Sequence, residues 1–340
     1  MPRRGLSLRI DTAMNNNPKN MSDSGTWNFN NDRRLHVGRS GIRQSSLATS
    51  SSFVPHETKI KREDLETIGT LGQGSSGQVE KVVHLPTNTV LALKTVAIAE
   101  NEDVQKNLFK ELLALTRVRC PQVVSFYDAF SNEAHIDMVL EYMDAGSLAS
   151  PLFHHVPENL LRLMAVSLFR GLSHMHTSHY IHRDIKPANI LVNTKGEVKL
   201  TDFGVAAELD HTLAQANSWV GTMVYMSPER INGGSYSFAA DIWALGLTVM
   251  EVAMGRFPLA PTMEDAGSFL DVMDIIVSQE IPRLPDEFSP EFQHFISLCL
   301  KKDVAERPMA PTLLEHPWLE GLANVSHEEV SAQIKAGMGL

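Results

Sequence analysis

A glycine-rich stretch near residue 75 is the first part of the chain whose residue types indicate chemistry. It runs Gly72-Gln73-Gly74-Ser75-Ser76-Gly77-Gln78-Val79, and a backbone that lacks side chains at three positions can approach phosphate groups closely. A dinucleotide-binding fold requires a helix directly after such a loop, whereas residues 79–83 continue as a strand. The pattern therefore predicts a hairpin turn that covers phosphates, with a purely structural turn as the alternative.

A lysine inside an apolar strand is the second feature. Lys94 ends the run Leu91-Ala92-Leu93-Lys94, where burying an ammonium group without a partner would be costly. The position predicts a carboxylate or phosphate partner for this lysine. A lysine that protects the edge of a sheet is the alternative.

Three more motifs follow along the chain. They are His182-Arg183-Asp184-Ile185-Lys186-Pro187-Ala188-Asn189, Asp202-Phe203-Gly204 and Ser227-Pro228-Glu229. Together with the glycine-rich loop and Lys94, these motifs resemble the signature elements of the eukaryotic protein kinases in identity, order and spacing. The resemblance covers residues 65–319.

The resemblance implies an α+β, bilobal protein kinase fold, with a small β-rich N-lobe over residues 65–141 and a larger α-helical C-lobe over 142–319. The hydrophobic pattern agrees, because strand-like segments precede Gly146 and helical ones follow it. One helix, 101–117, is expected among the strands. Two segments are apolar on nearly every side and predict helices that are buried all round: 159–176 and 241–254.

The chain is predicted to have three parts. Residues 1–57 hold nine Ser and seven Asn and carry a net charge of +4, a composition that cannot offset the entropy cost of folding. We expect a disordered N-terminal arm over residues 1–60, the kinase domain over 61–320 and a C-terminal helix or tail over 321–340.

The resemblance implies a role for each residue of the proposed site in transferring the γ-phosphate of ATP. Asp184 would accept or orient the proton of the substrate hydroxyl, and Lys186 would offset charge on the transferred group. Lys94 would grip the α- and β-phosphates, with Glu111 orienting it. Mg²⁺ would be held by Asn189 and Asp202. The full ATP-binding set implied by the resemblance is Leu71, Gly72, Gln73, Gly74, Ser75, Gly77, Val79, Ala92, Lys94, Glu111, Glu141, Met143, Asn189 and Asp202.

Other polar residues are expected to be structural. His182 is predicted to be a packed histidine, and Glu229 with Arg307 resembles the buried ion pair beneath the activation segment of the family. The histidines around 174–182 are not spaced to gather four ligands of a zinc ion. Cys120 and Cys299 are too few for a disulfide framework and are expected to be buried thiols.

A narrower resemblance is to the MAP kinase kinases. It is carried by the residues from Asn217 to Arg230, by Met143-Asp144-Ala145-Gly146-Ser147-Leu148 and by Gly255-Arg256-Phe257-Pro258. The resemblance implies dual specificity, with phosphorylation of both Thr and Tyr in the Thr-x-Tyr loop of a MAP kinase. Two alternatives remain open: a kinase that acts one tier up, on MAP kinase kinases, and a catalytically inactive scaffold.

The same resemblance implies a switch and its partners. Ser218 matches the distal phosphorylation site of the family, and Thr212 is the second candidate, at the spacing of plant enzymes. Thr222 is expected to bond to Asp184 and Lys186 instead of being phosphorylated. An upstream MAP kinase kinase kinase would phosphorylate the segment, and a MAP kinase would be the downstream substrate.

Both ends of the chain contain possible docking segments. Arg3, Arg4, Leu6 and Leu8 resemble the motif by which the family holds MAP kinases, and residues 33–37 form a weaker second candidate; a plain solvated tail is the alternative. At the other end, Ser326-His327-Glu328-Glu329 predicts a capped helix with Val330, Ile334 and Met338 on one face. This helix resembles the region where activating kinases dock, or it packs on the large lobe.

Composition excludes several function classes. A net charge of −10 argues against a nucleic-acid binder held by phosphate contacts. No stretch has the length and apolar character of a membrane span, and no secretion signal is recognised. We therefore expect a cytoplasmic protein that binds neither nucleic acid nor membrane, and the resemblance implies that it is an enzyme that uses ATP and Mg²⁺.

Overall fold

The computed structural model describes residues 60–74, 77–98, 118–131, 135–202, 223–259, 269–320 and 327–339, together with Leu112 and the backbone of three short strands before residue 60. The chain divides into two compact units. The first contains residues 1–99 and 126–142, and the second contains 100–125 and 143–340.

Three short strands lie in the N-terminal arm. They are β1 (Leu8–Arg9), β2 (Thr26–Phe29) and β3 (Leu35–His36), and they form an antiparallel sheet in the order β1-β2-β3. Leu8 pairs with Trp27, and Phe29 pairs with Leu35.

A five-stranded antiparallel sheet forms the body of the first unit. Its order is β4-β5-β6-β8-β7. One core cluster of this unit includes Val82, Leu91, Leu93 and Val139, which come from three neighbouring strands and bury apolar surface together. The strands are β4 (Leu65–Gly74), β5 (Gly77–His84), β6 (Thr89–Ala97), β7 (Phe126–Ser131) and β8 (His135–Glu141).

The segment before β4 is fastened to the sheet. Ile60 is buried in the cluster just described, and residues Arg62–Asp64 form a 3-10 turn. Arg62 Nε donates to Asp137 Oδ2 at 2.9 Å, and Thr95 Oγ1 donates to Oδ1 of the same carboxylate at 2.8 Å. The ordered sheet therefore extends a few residues N-terminal to its first strand.

The second unit is mainly helical. A small sheet, in the order β11-β10-β9, holds its remaining strands: β9 (Gly146–Ser147), β10 (Ile190–Val192) and β11 (Val198–Leu200). The helices are α1 (Glu158–Thr177), α2 (Pro228–Ile231), α3 (Phe238–Met254), α4 (Phe269–Ser278), α5 (Pro290–Cys299), α6 (Ala310–Leu314), α7 (Pro317–Glu320) and α8 (His327–Met338).

Helix α3 is the central helix of this unit. Ser237 caps its N-terminus by accepting a hydrogen bond from Ala240 N at 3.3 Å. Gly255 ends it at φ +65°, and a Cβ there would lie 2.6 Å from the His155 ring. Apart from Phe238 and Glu251, every residue of α3 is buried, which confirms the predicted helix buried all round.

Helix α1 is less enclosed than predicted. Eleven of its residues are buried, but Arg170 and His174 are exposed. A charged side chain on one face of an apolar helix marks the side in contact with water, so the prediction of burial on every side was wrong for α1. Cys120 likewise is only half-buried, whereas Cys299 is fully buried as expected.

The carboxylate of Glu158 joins three elements of the second unit. It accepts from Ser289 N at 2.9 Å, from Ser289 Oγ at 2.5 Å and from Trp318 Nε1 at 2.9 Å. Ser289 is also the N-cap of α5, and the Trp318 ring stacks on Phe292 at 4.3 Å. Burial by itself would raise the pKa of Glu158, but these hydrogen bonds bring it below its ordinary value.

Helix α8 packs on the second unit. Val330 and Ile334 are buried, while Met338 is 39% exposed. Ser331 Oγ donates to the carbonyl of Thr194 at 2.6 Å. At Gly337 a Cβ would lie 2.2 Å from Leu152 Cδ1, so a larger residue there would require the Leu152 side chain to move.

We predict that Glu158→Gln lowers the melting temperature of the chain by several degrees, because hydrogen bonds to a charged group stabilise by about 1.5–3 kcal/mol each. A carboxylate whose folded pKa is depressed contributes stability that is fully present above its unfolded pKa of about 4.3 and is lost as pH falls through the folded pKa. The difference in melting temperature between wild type and variant should therefore shrink at acidic pH. A pH-independent difference would contradict this account, and Glu328→Gln on the exposed face of α8 is the control.

Candidate active site

The glycine-rich stretch forms the hairpin between β4 and β5. Gly74 pairs with Gly77, and Gln73 pairs with Gln78. Gly77 has φ +126°, and a Cβ there would lie 1.9 Å from the carbonyl oxygen of Thr95. A side chain is therefore excluded at Gly77 on both conformational and steric grounds.

Lys94 lies within the sheet of the first unit. Lys94 belongs to β6, where it pairs with Val79 on β5 and with Met138 on β8. Only 4% of its surface is exposed. Because β6 has a neighbour on both sides, Lys94 is not on an edge strand, which removes the alternative of an edge-protecting lysine. Ala92, two residues earlier, lies on the same face by strand alternation and is also buried.

The loop after α1 brings three predicted site residues together. Asp184 is 5% exposed, and Lys186 Nζ lies 3.0 Å from its Oδ1. Asn189 Nδ2 donates to the Asp184 carbonyl at 2.8 Å and to Asp184 Oδ2 at 2.7 Å. Since the amide nitrogen of Asn189 is occupied within the loop, its Oδ1 is the atom left to serve as a ligand.

Asp202 is tied to the same loop through the backbone. It follows β11, and Thr201 N donates to the Asn189 carbonyl at 3.0 Å. Asp202 adopts φ +58°, a left-handed conformation that is uncommon for residues other than glycine. Such strained backbone persists where the surrounding structure fixes it and is concentrated at functional sites.

Asp241 near the start of α3 anchors the loop that carries Asp184. This carboxylate is 2% exposed. Its Oδ2 accepts from His182 N at 2.8 Å, and its Oδ1 accepts from Arg183 N at 2.9 Å. His176 Nε2 lies 3.0 Å from Oδ2 and donates to it. One buried carboxylate thus fixes the backbone immediately before Asp184.

His182 is packed, as predicted. It is fully buried, and burial lowers its pKa although Asp241, Asp184 and Asp202 act in the opposite direction. A neutral, enclosed imidazole is suited to support the loop and not to exchange protons with a substrate. His174 and His179 are exposed whereas His176 and His182 are buried. Among the described residues, no three His, Cys, Asp or Glu side chains are grouped to hold a metal ion.

The predicted ion pair between Glu229 and Arg307 is present. Arg307 Nη1 and Nη2 donate to the two oxygens of Glu229 at 2.9 and 3.1 Å, and Arg307 also donates to the carbonyls of Ala239 and Lys301. Burial opposes ionisation of Glu229, but the bonds from Arg307 hold its pKa below the ordinary value. The bidentate pair ties α2 to the segment before α6.

Two positioning groups were missed in the sequence. One is Asp241. The feature of the sequence that could have indicated it is a carboxylate near the start of an otherwise largely apolar helix. The other is the pair formed by Tyr225 and Glu251, in which the phenol donates to Oε2 at 2.6 Å. Burial raises the pKa of both groups, and the Tyr225 ring packs edge-on against Phe257 at 5.7 Å. This pair fixes the segment after residue 222 to α3.

The structure places the remaining predicted residues as follows. Leu71 on β4 is 45% exposed, Glu141 ends β8, and Met143 is buried. Leu8 lies in β1. Several predictions fall outside the described residues: Arg3, Arg4, Leu6, Ser75, Glu111, Thr212, Ser218, Thr222 and, except for the buried helical residue Leu112, the helix 101–117.

None of the helices that the structure describes has both the length and the apolar character that a membrane span requires.

Comparison with known proteins extends these observations. Residues 65–319 match the protein kinase domain. The chain is 40% identical over 329 residues to mitogen-activated protein kinase kinase 1c of Physcomitrium patens, covering 94% of this chain and 95% of the relative. It is 41% identical over 311 residues to mitogen-activated protein kinase kinase 1 of Arabidopsis thaliana, covering 89% and 87%. It is 38% identical over 307 residues to dual specificity mitogen-activated protein kinase kinase dSOR1 of Drosophila melanogaster, covering 83% and 77%. The chain is therefore a protein kinase of the MAP kinase kinase family.

Proposed function

We propose that this kinase is a dual-specificity MAP kinase kinase, which transfers the γ-phosphate of ATP to Thr and Tyr of a Thr-x-Tyr loop in a MAP kinase. The observation that carries the proposal is the catalytic loop, in which Asp184, Lys186 and Asn189 are held together by the bonds described above. A scaffold without activity would not need this arrangement. Relatives named as MAP kinase kinases, which align with most of this chain, support the substrate class.

The residues present fit ATP and Mg²⁺. The glycines of the hairpin carry no side chains that would hinder phosphate oxygens from approaching its backbone amides. Asn189 Oδ1 and the Asp202 carboxylate are hard oxygen donors, which Mg²⁺ prefers. When bound, the metal would neutralise charge on the phosphate oxygens.

Each residue of the loop has one task in this proposal. Asp184 accepts or orients the proton of the substrate hydroxyl, and Lys186 offsets negative charge on the group in transfer. Asn189 orients Asp184 through its amide and keeps its own oxygen for the metal. Burial of Asp184 excludes water from the carboxylate and strengthens its electrostatic interactions.

The first unit supplies the grip on the nucleotide. Lys94 is proposed to hold the α- and β-phosphates, and Glu111 to orient its ammonium group. Leu71, Val79, Ala92, Glu141 and Met143 are proposed to contact the nucleotide, together with the glycine-rich hairpin.

We further propose phosphorylation of Ser218 and Thr212 by an upstream MAP kinase kinase kinase, cytoplasmic localisation, and docking of the MAP kinase on Arg3, Arg4, Leu6 and Leu8. Docking by these residues requires an extended peptide, which puts Leu6 and Leu8 on one side. The pairing of β1 with β2 consists of two residue pairs within the arm, so releasing it would cost little.

We predict that Lys94→Met and Asp202→Asn each lower the rate of MAP kinase phosphorylation at least about 100-fold with the fold intact, because each removes a charge aimed at the phosphates or the metal. Lys195→Met, on an exposed turn, is the matched control. The measurement is phosphate incorporation from ATP and Mg²⁺ into a panel of inactive MAP kinases and MAP kinase kinases, with Thr and Tyr products separated.

Three outcomes of this assay would contradict the proposal. Transfer only to MAP kinase kinases would identify a kinase one tier up. Absence of transfer by the wild-type chain after treatment with an activating kinase would identify a scaffold. Near-normal transfer by Lys94→Met or Asp202→Asn would refute the residue assignments.

We predict that deleting residues 1–10 raises the apparent KM for a MAP kinase about tenfold and leaves phosphorylation of a short generic peptide unchanged, since a tethered docking segment raises the effective concentration of substrate. Arg33→Ala with Arg34→Ala is the companion variant, which tests the second basic cluster. The docking assignment fails if the KM for the MAP kinase is the same with and without the first ten residues.

A further inference from the structure

The carboxylate of Asp137 joins the segment before β4 to the middle of the five-stranded sheet. It belongs to β8 and is only 7% exposed. Its Oδ2 accepts a hydrogen bond from Arg62 Nε at 2.9 Å, and its Oδ1 accepts one from Thr95 Oγ1 at 2.8 Å. His135 Nε2 lies 3.6 Å from Oδ1, beyond hydrogen-bond distance. Arg62, which is always charged, is therefore a closer partner of this buried carboxylate than His135 is.

Thr95 lies between the two parts of the first unit that are proposed to hold the phosphates. It directly follows Lys94 on β6. Its carbonyl oxygen is the atom that a Cβ at Gly77 would meet at 1.9 Å, and Thr95 pairs with Gln78, the next residue of the hairpin. The backbone of Thr95 is thus joined to Lys94 and packs directly against Gly77.

The side chains of Thr95 and Lys94 lie on opposite faces of the sheet, because neighbouring residues of a strand alternate. Thr95 is two residues from Leu93, which belongs to the core cluster of this unit, and it pairs with Asp137 across β6 and β8. The hydrogen bond between Thr95 and Asp137 therefore lies behind the strand that carries Lys94. A shift of Thr95 would move Lys94 and the backbone that supports Gly77 together.

Arg62 lies outside the residues that match the protein kinase domain, since that match begins at residue 65. The 3-10 turn that contains Arg62 is fixed to the sheet at two other points. Ile60 is buried in the core cluster, and the Asp64 carbonyl accepts from Leu85 N at 2.9 Å. A substitution of the Arg62 side chain therefore tests the ion pair without releasing the turn.

We propose that Asp137 and Arg62 are positioning residues for nucleotide binding, which act through Thr95 on Lys94 and on the glycine-rich hairpin. The inference rests on the proposed function, which assigns Lys94 and the hairpin to the phosphates of ATP. An ion pair with a buried partner is screened less than a surface pair, and removing the exposed partner leaves the buried charge uncompensated. Loss of Arg62 is therefore expected to loosen Thr95 and, with it, both contacts to the phosphates.

The test measures the dissociation constant of ATP with Mg²⁺ for the full chain, together with kcat and the KM for ATP in MAP kinase phosphorylation. Thr95→Val removes the hydroxyl, and Arg62→Gln removes the charge. Lys61→Gln is the matched control, because it removes a positive charge from the adjacent residue, whose side chain is 57% exposed and pairs with Glu63. Binding is measured without a protein substrate, so failure of this inference is distinguishable from failure of the proposed function.

We expect Thr95→Val and Arg62→Gln each to raise the dissociation constant and the KM for ATP about fivefold and to change kcat less than about twofold, the pattern of lost ground-state binding. The reason is that the loop that carries Asp184 belongs to the other unit. Arg62→Lys should give an intermediate affinity, and Lys61→Gln should leave it unchanged. The double variant should bind ATP at most about twofold more weakly than either single variant, because both substitutions act through one carboxylate.

Two results would overturn the inference alone. Wild-type affinity for ATP in Thr95→Val and Arg62→Gln, even with lower melting temperatures, would show that the network is merely structural. Fully additive losses in the double variant would show that Arg62 and Thr95 do not act through Asp137. If Thr95→Val does not fold, Arg62→Gln, whose native side chain is 46% exposed, carries the test. A wild-type chain that does not bind ATP would refute the proposed function and this inference with it.

Discussion

The conformation of the loop that carries Asp184 depends on the hydrogen bonds to the buried carboxylate of Asp241. It accepts hydrogen bonds from the backbone of His182 and Arg183 and from the His176 ring. A left-handed conformation such as that of Arg183 costs about 1–3 kcal/mol, and each charge-assisted hydrogen bond contributes about 1.5–3 kcal/mol. The bonds to Asp241 are therefore large enough to hold the strained backbone that leads into Asp184.

Asp241 also connects the loop that carries Asp184 to the hydrophobic core of the second unit. Asp241 belongs to α3, whose side chains are almost all buried, and Arg307 bonds to the Ala239 carbonyl on the same helix while pairing with Glu229. Tyr225 reaches α3 through Glu251. The loop that carries Asp184 and the segments on either side of α2 thus share one rigid support, so that small shifts in α3 would alter all of them together.

The sequence predicted the parts of this structure that depend on local pattern or on whole motifs. The strands around Lys94 follow from alternation, α3 from an uninterrupted apolar run, and the kinase fold from motif order; the domain match confirms the fold. It did not predict the exposed face of α1, because whether a neighbouring element covers Arg170 depends on tertiary packing. Nor did it predict the hydrogen-bond partners of Asp241, which lie about sixty residues away along the chain. It also did not predict that the guanidinium groups of Arg183 and Arg230 lie over the same ring, that of Tyr236.

The most direct test of this account is the kinetic effect of Asp241→Asn. In the asparagine, an NH₂ donor replaces one of the two oxygens that accept hydrogen bonds from backbone N–H groups of the loop. The loop therefore loses part of its anchor, while the helix keeps a side chain of the same size. We expect that kcat falls at least about tenfold, that the KM for ATP changes less than about twofold, and that Glu328→Gln on α8 changes neither. A folded Asp241→Asn variant with wild-type kcat would contradict it.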